Sequence, residues 1–158
     1  DRRVGERKFV TLLSAYPDIS MSQVEVNYLA VLAAGIVNMI VGMIWYSPVL
    51  FGKQWMLMSG FRQEDMASMK KGMGMMYFWG FVAALGMAYV MTHVLQYAGA
   101  KTVGDALQGA FWLWLGFVAT VCASAVIYER KPKALYSINV GYYLVVMCLN
   151  SIVLTLWR

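Results

Sequence analysis

Few side chains in this sequence have types suited to chemistry, and their spacing scatters them. His93 is the single histidine, with Gln96 and Tyr97 close by. An imidazole there could ligate a metal or a haem, or hydrogen-bond a quinone headgroup. A lone histidine near the end of an apolar run is more often simply hydrogen-bonded, and that is the expectation here. Methionine is abundant, with 13 residues. Met56-x-Met58, Met66-x-x-Met69 and Met73-x-Met75-Met76 gather around one loop and the start of the run after it. Thioethers are soft ligands that select Cu(I). Methionine also fills gaps and makes adaptable contact surfaces, and several of these spacings would spread the sulfurs round a helix. Glu129 stands beside Arg130, which predicts a local ion pair, and Glu64-Asp65 predicts a helix start, not a catalytic pair. Cys122 and Cys148 lie deep in apolar runs, where a thiol acts as a small hydrophobe and no disulfide is expected. There is no Gly-rich phosphate loop, Cys-x-x-Cys, His-Glu-x-x-His or nucleophile elbow. The expectation is a non-catalytic protein without a metal or cofactor.

The remaining polar candidates are amides inside apolar runs. Asn38 shares a helical stripe with Asn27, Val31, Ala34, Gly42 and Trp45. Asn139 and Asn150 share another with Tyr143, Val146, Val153 and Trp157. Polar residues at such depth face the interior of a bundle. An asparagine can bond across helices for about 0.6–2 kcal/mol, so Asn38, Asn139 and Asn150 are expected to act as structural glue. The sharper reading is a polar path or ligand cradle. That reading needs an acid or base at mid-depth, and the runs carry none.

These residues sit on elements that composition makes plain. The chain has 158 residues, 61% hydrophobic and 13% charged. Soluble domains are about half apolar and about a quarter charged. A mean hydropathy of +0.59 agrees with an integral membrane protein. The net charge of +5 does not point to nucleic acid, because the basic residues form short clusters between apolar runs. Four uncharged runs, Val26–Trp45, Gly72–Ala100, Ala106–Tyr128 and Ala134–Trp157, each reach the roughly 20 residues that cross a bilayer. None alternates like a barrel strand, so helices must satisfy the backbone. The predicted fold is an all-α, antiparallel bundle of four transmembrane helices, with spans at about 26–47, 72–97, 105–128 and 134–157 in a domain over 21–158. Thr102-x-x-Asp105 reads as the start signal of the third helix, Lys131-Pro132 as the turn before the fourth, and Gln63-Glu64-Asp65 as an early start of the second. Gly80-x-x-x-Ala84-x-x-x-Ala88 and Gly116-x-x-x-Thr120-x-x-x-Ser124 are small-residue stripes that permit close helix contact, within the chain or with another.

The first run closes on Trp45-Tyr46-Ser47-Pro48. Indole and phenol rings favour the membrane–water interface. Pro48 disfavours the α conformation at Ser47, and Ser47-Pro48 reads as N-cap and first residue of a short second helix. Phe51, Trp55 and Met58 would share one face of it, as in a helix lying in the interface plane. The segment from Asn27 through Trp55 resembles the family of small bacterial membrane proteins called domain of unknown function 1761. The resemblance rests on the early Asn27, the Ala/Gly-rich helix, then Trp45-Tyr46-Ser47-Pro48 and Phe51-Gly52-x-x-Trp55. It continues at Gly116-Phe117 and Ile138-Asn139-x-Gly141-Tyr142, ends at Trp157, and covers roughly Met21 to the C-terminus. The resemblance implies four membrane helices in a bacterial inner membrane, and it implies no reaction.

Residues 1–20 read as an N-terminal extension. Arg2, Arg3, Arg7 and Lys8 precede the apolar Phe9–Ala15, which predicts a short amphipathic helix ended by Pro17. Lys53, Arg62, Lys70 and Lys71 in the first loop and Arg130, Lys131 and Lys133 in the third make seven basic residues on one side. Lys101 and Arg158 lie on the other, with four more in the extension, so the loops are expected inside and both termini outside. The function this favours is a structural or accessory subunit, in contact with lipid and with copies of itself or other membrane subunits. The alternatives are a small-solute transporter or channel with an Asn-lined path, and a protein binding copper through Met or another ligand through His93.

Overall fold

The computed structural model describes residues 24–60 and 65–158, with side chains from 72 onward in the second stretch. The amphipathic helix expected within 1–20, the Gln63-Glu64 helix start, and the Met66 and Met69 side chains lie outside the described residues. The described residues form five helices. They are α1 (Tyr28–Trp45), α2 (Gly52–Met58), α3 (Asp65–Tyr97), α4 (Val103–Ile127) and α5 (Lys133–Leu156). α1, Gly72–Tyr97 of α3, α4 and α5 are long and apolar enough to cross a membrane. α3 has 33 residues, so its first part extends about two turns beyond its apolar span.

α5 is the centre of the bundle. It packs on α1, α3 and α4, and 44% of its span is buried, against 28% for α1 and α3 and 11% for α4. α1 and α3 pack on each other as well, whereas α4 leans mainly on α5. The core uses small residues where backbones approach: Ala30, Ala34, Ala88 and Ala110 are buried around Met91, Leu95, Met147 and Leu154. A Cβ on Gly35 would stand 2.7 Å from Leu85 Cδ2, which marks how closely α1 and α3 meet. The two small-residue stripes part company here. Ala84 and Ala88 of α3 face inward, whereas Gly116, Thr120 and Ser124 of α4 are all exposed.

Local signals set the helix ends. The Asn27 side chain caps α1 by accepting from the Leu29 and Ala30 N–H groups. Thr102 and Asp105 form a reciprocal capping box at α4. Pro132 precedes α5, as its ring requires. Two local expectations are corrected. Ser47 does not cap α2, which begins at Gly52 with no side-chain cap. The Ser47 carbonyl instead accepts from the Leu50 and Gly52 N–H groups, adding a turn between the helices. Glu129 pairs with Lys131 at 2.7 Å, not with Arg130, because Arg130 takes a left-handed φ of 56° that reverses the chain. Both side chains are about half exposed, so the pair contributes little.

Candidate functional site

Several polar side chains of the spans gather at the end of the bundle where α1 stops. Past Trp45 the chain doubles back, with Phe51 N–H donating to the Trp45 carbonyl. The turn is possible only with glycine at 52: a Cβ there would lie 2.3 Å from the Tyr46 carbonyl oxygen. The reversal stacks Phe51 on Trp45 (centroids 4.8 Å) and sets Trp55 edge-on to Tyr46 (5.4 Å). It also carries α2 back against α5.

There Asn139 accepts from both sides. Its Oδ1 takes hydrogen bonds from Tyr46 Oη at 3.2 Å and from Trp55 Nε1 at 3.1 Å. One turn along α5, Tyr142 Oη donates to Asn38 Oδ1 at 2.6 Å. Trp45 Nε1 donates to the Ile138 carbonyl at 3.1 Å, and its ring lies against the bare Cα of Gly141. The tryptophans, tyrosines and asparagines of separate segments thus form one brace between α1, α2 and α5. α4 joins by a similar device: Trp114 Nε1 donates to the Val140 carbonyl at 2.8 Å. Just beyond it, Leu115–Ala119 forms a π-helical turn. Such a turn displaces carbonyls from the regular ladder. Thr120 Oγ1 bonds the Gly116 carbonyl, and Tyr136 Oη bonds that of Ala119.

Beside the brace is an open cleft of about 460 Å³ between α1, α3 and α5. Asn38, Tyr46, Ser47, Tyr77 and Tyr142 supply its polar groups, and Met39, Met43 and Pro48 its apolar wall. Asn139 faces a separate cleft of about 280 Å³ with Trp55, Met58 and Cys122.

Residues 29–155 match the family described as Protein of unknown function (DUF1761). This chain belongs to that family. No curated protein and no solved structure matches it. Most of the motif residues that carried the DUF1761 resemblance come together in the brace: Trp45, Tyr46, Phe51, Gly52, Trp55, Asn139, Gly141 and Tyr142. Pro48 follows in the turn and lines the larger cleft. Gly116 lies apart, exposed in the π turn of α4.

The other candidates are dispersed. His93 Nδ1 lies 2.9 Å from the Tyr89 carbonyl, which can only accept, so the ring donates there. Its ring sits on that of Tyr89, with centroids 4.5 Å apart. Among the described residues no three His, Cys, Asp or Glu side chains group as metal ligands. Met73, Met75 and Met76 are all exposed, on different sides of α3. Cys122 and Cys148 are free. Asn38 and Asn139 line different clefts, and Asn150 is wholly buried. Neither polar atom of the Asn150 amide has a hydrogen-bond partner among the described residues, contrary to the partner expected for it. Tyr143, expected on the inward stripe, is exposed, and Tyr142 takes the inward place. At the opposite end of the bundle Asn27 Nδ2 donates to the Trp157 carbonyl, Gln96 Nε2 to that of Glu25, and the Arg158 guanidinium to that of Ala100.

Proposed function

We propose that this DUF1761 protein is a non-catalytic subunit of a membrane assembly, docking through α4 onto another copy of itself or onto a different membrane protein. The supporting observation is the outer face of α4. It is the least buried span, yet it carries Gly116, Thr120 and Ser124 as a small-residue stripe turned away from its own bundle. Phe117, Val121 and Trp112 flank that stripe, and at 73%, 61% and 60% exposure they leave most of their surface for another helix or for lipid. The stripe's hydroxyls bond carbonyls of α4 itself, so a neighbouring backbone could approach without stranding them. The brace supports the same reading, because it uses most of the polar side chains near the end of α1 to fix helices to one another. In this reading the protein is a multi-pass inner-membrane protein with its basic loops inside and its termini outside.

Gly116→Leu tests it. A Cβ at Gly116 meets nothing within 4 Å among the described residues, so the substitution should leave the bundle intact. The mass of the wild-type protein drawn from native membranes into nanodiscs should exceed that of one 17.8 kDa chain, and Gly116→Leu should reduce it to one. A monomeric wild type would overturn the proposal.

A further inference from the structure

The cleft beside the brace has chemistry that the brace leaves unused. Asn38 is only 7% exposed, and its Oδ1 is taken by Tyr142. Its Nδ2 makes no hydrogen bond among the described residues, and it is not one of their buried, unpartnered polar atoms, so it is left open to the cleft. Asn38 lines the cleft, so a ligand there is within reach of that donor. Ser47 Oγ and the half-exposed Tyr77 Oη line the same space and make no hydrogen bond among the described residues either. Three hydroxyl or amide donors therefore border one cleft that no described charged residue lines. Among the described residues a phosphate or carboxylate would find no cation there. A neutral acceptor fits, and the Met39, Met43 and Pro48 wall requires it to be joined to an apolar body. The cleft ends at Tyr46 and Ser47, just past the α1 span, the level at which span length and the aromatic residues lead one to expect the headgroup–acyl boundary.

We propose that this cleft binds the carbonyl group of a neutral segment of a membrane amphiphile, with Asn38 Nδ2 as the principal donor and Ser47 and Tyr77 beside it. Two sources present this chemistry: the ester carbonyl of a glycerolipid and the ring carbonyl of a quinone. Neither requires a reaction at the site. The proposal is independent of whether α4 docks onto a partner.

The test uses the full chain, delipidated in detergent and titrated by native mass spectrometry. The probes are dioleoyl phosphatidylcholine, its diether analogue of the same chain length, and a decyl-substituted benzoquinone. The diether lacks only the carbonyls. If lipid ester is the ligand, the diester should be retained about tenfold more tightly than the diether, the effect of roughly 1.4 kcal/mol. If quinone is the ligand, it should bind saturably at one site. Whichever binds, Met43→Trp should abolish the effect by filling the cleft. Met43 is 56% exposed, so the larger ring has room outside the core, and a wild-type circular dichroism spectrum confirms folding. Val90→Trp, at an exposed position of α3 outside the lining of the cleft, should leave binding unchanged. Equal retention of diester and diether with no saturable quinone binding overturns the proposal. So does a carbonyl preference that survives Met43→Trp.

Discussion

Replacing Asn139 with Leu removes one acceptor from two donors. Tyr46 Oη and Trp55 Nε1 both end on the same amide oxygen, at 3.2 and 3.1 Å. A hydrogen bond between membrane helices contributes about 0.6 kcal/mol on average and up to about 1.7. Two such bonds put the cost of Asn139→Leu at about 1–3 kcal/mol. Leucine has the same branching at Cγ and is the larger residue, so no cavity forms. The coupling is more informative than the single value, because Trp55→Phe also changes packing. In a Tyr46→Phe background, Asn139→Leu should cost about half of what it costs in the wild type. In the Tyr46→Phe/Trp55→Phe background it should cost close to nothing. The assay is reversible unfolding in mixed micelles against sodium dodecyl sulfate, followed by far-ultraviolet circular dichroism. An Asn139→Leu cost below about 0.3 kcal/mol, or one undiminished when both donors are gone, would refute the brace as an energetic unit.

Asn150→Leu should behave oppositely and leave stability unchanged or raised, because it replaces a wholly buried amide with no partner among the described residues. A loss above about 1 kcal/mol in the same unfolding assay would refute this, through a hidden partner of the amide or through overpacking by the larger leucine. Gly52→Ala should cost about 2 kcal/mol or more, since its Cβ would overlap the Tyr46 and Ser47 carbonyl oxygens. Retention of wild-type stability would mean that the turn relaxes freely. Single cysteines at Lys53 and Lys101 should label from opposite sides of the membrane in intact vesicles, and labelling of both from one side would remove the four-span topology.

The four spans were legible because run length and charge depletion are strong signals that no packing detail can reverse. The capping residues Thr102 and Asp105 were equally plain, since both partners lie within one turn. What the sequence concealed was direction. Asn139 shares a face with Tyr142 three residues on and Tyr143 four residues on, and periodicity alone does not choose between them. α1 chooses, because Asn38 waits opposite Tyr142. Ser47 carried the signature of an N-cap, but its carbonyl was needed to close a tighter reversal onto Gly52, a long-range demand of the brace. The family motif was visible as a string of aromatics and glycines. That Trp55 and Tyr46 share one oxygen of Asn139 could not be read from residues more than 80 positions apart. The split between the two small-residue stripes was also hidden, because only the position of α5 determines which face of α4 is left outside.

The assembly claim is tested most directly at Phe117, the most exposed phenylalanine of the α4 face. A diazirine amino acid placed there, in protein made at native level and irradiated in native membranes, reports what touches that face. The account predicts a discrete protein adduct, either a dimer of this chain or one defined larger subunit, lost in Gly116→Leu and absent when the same probe replaces Val90 on α3. Lipid adducts alone, identical at Phe117 and Val90, would contradict it.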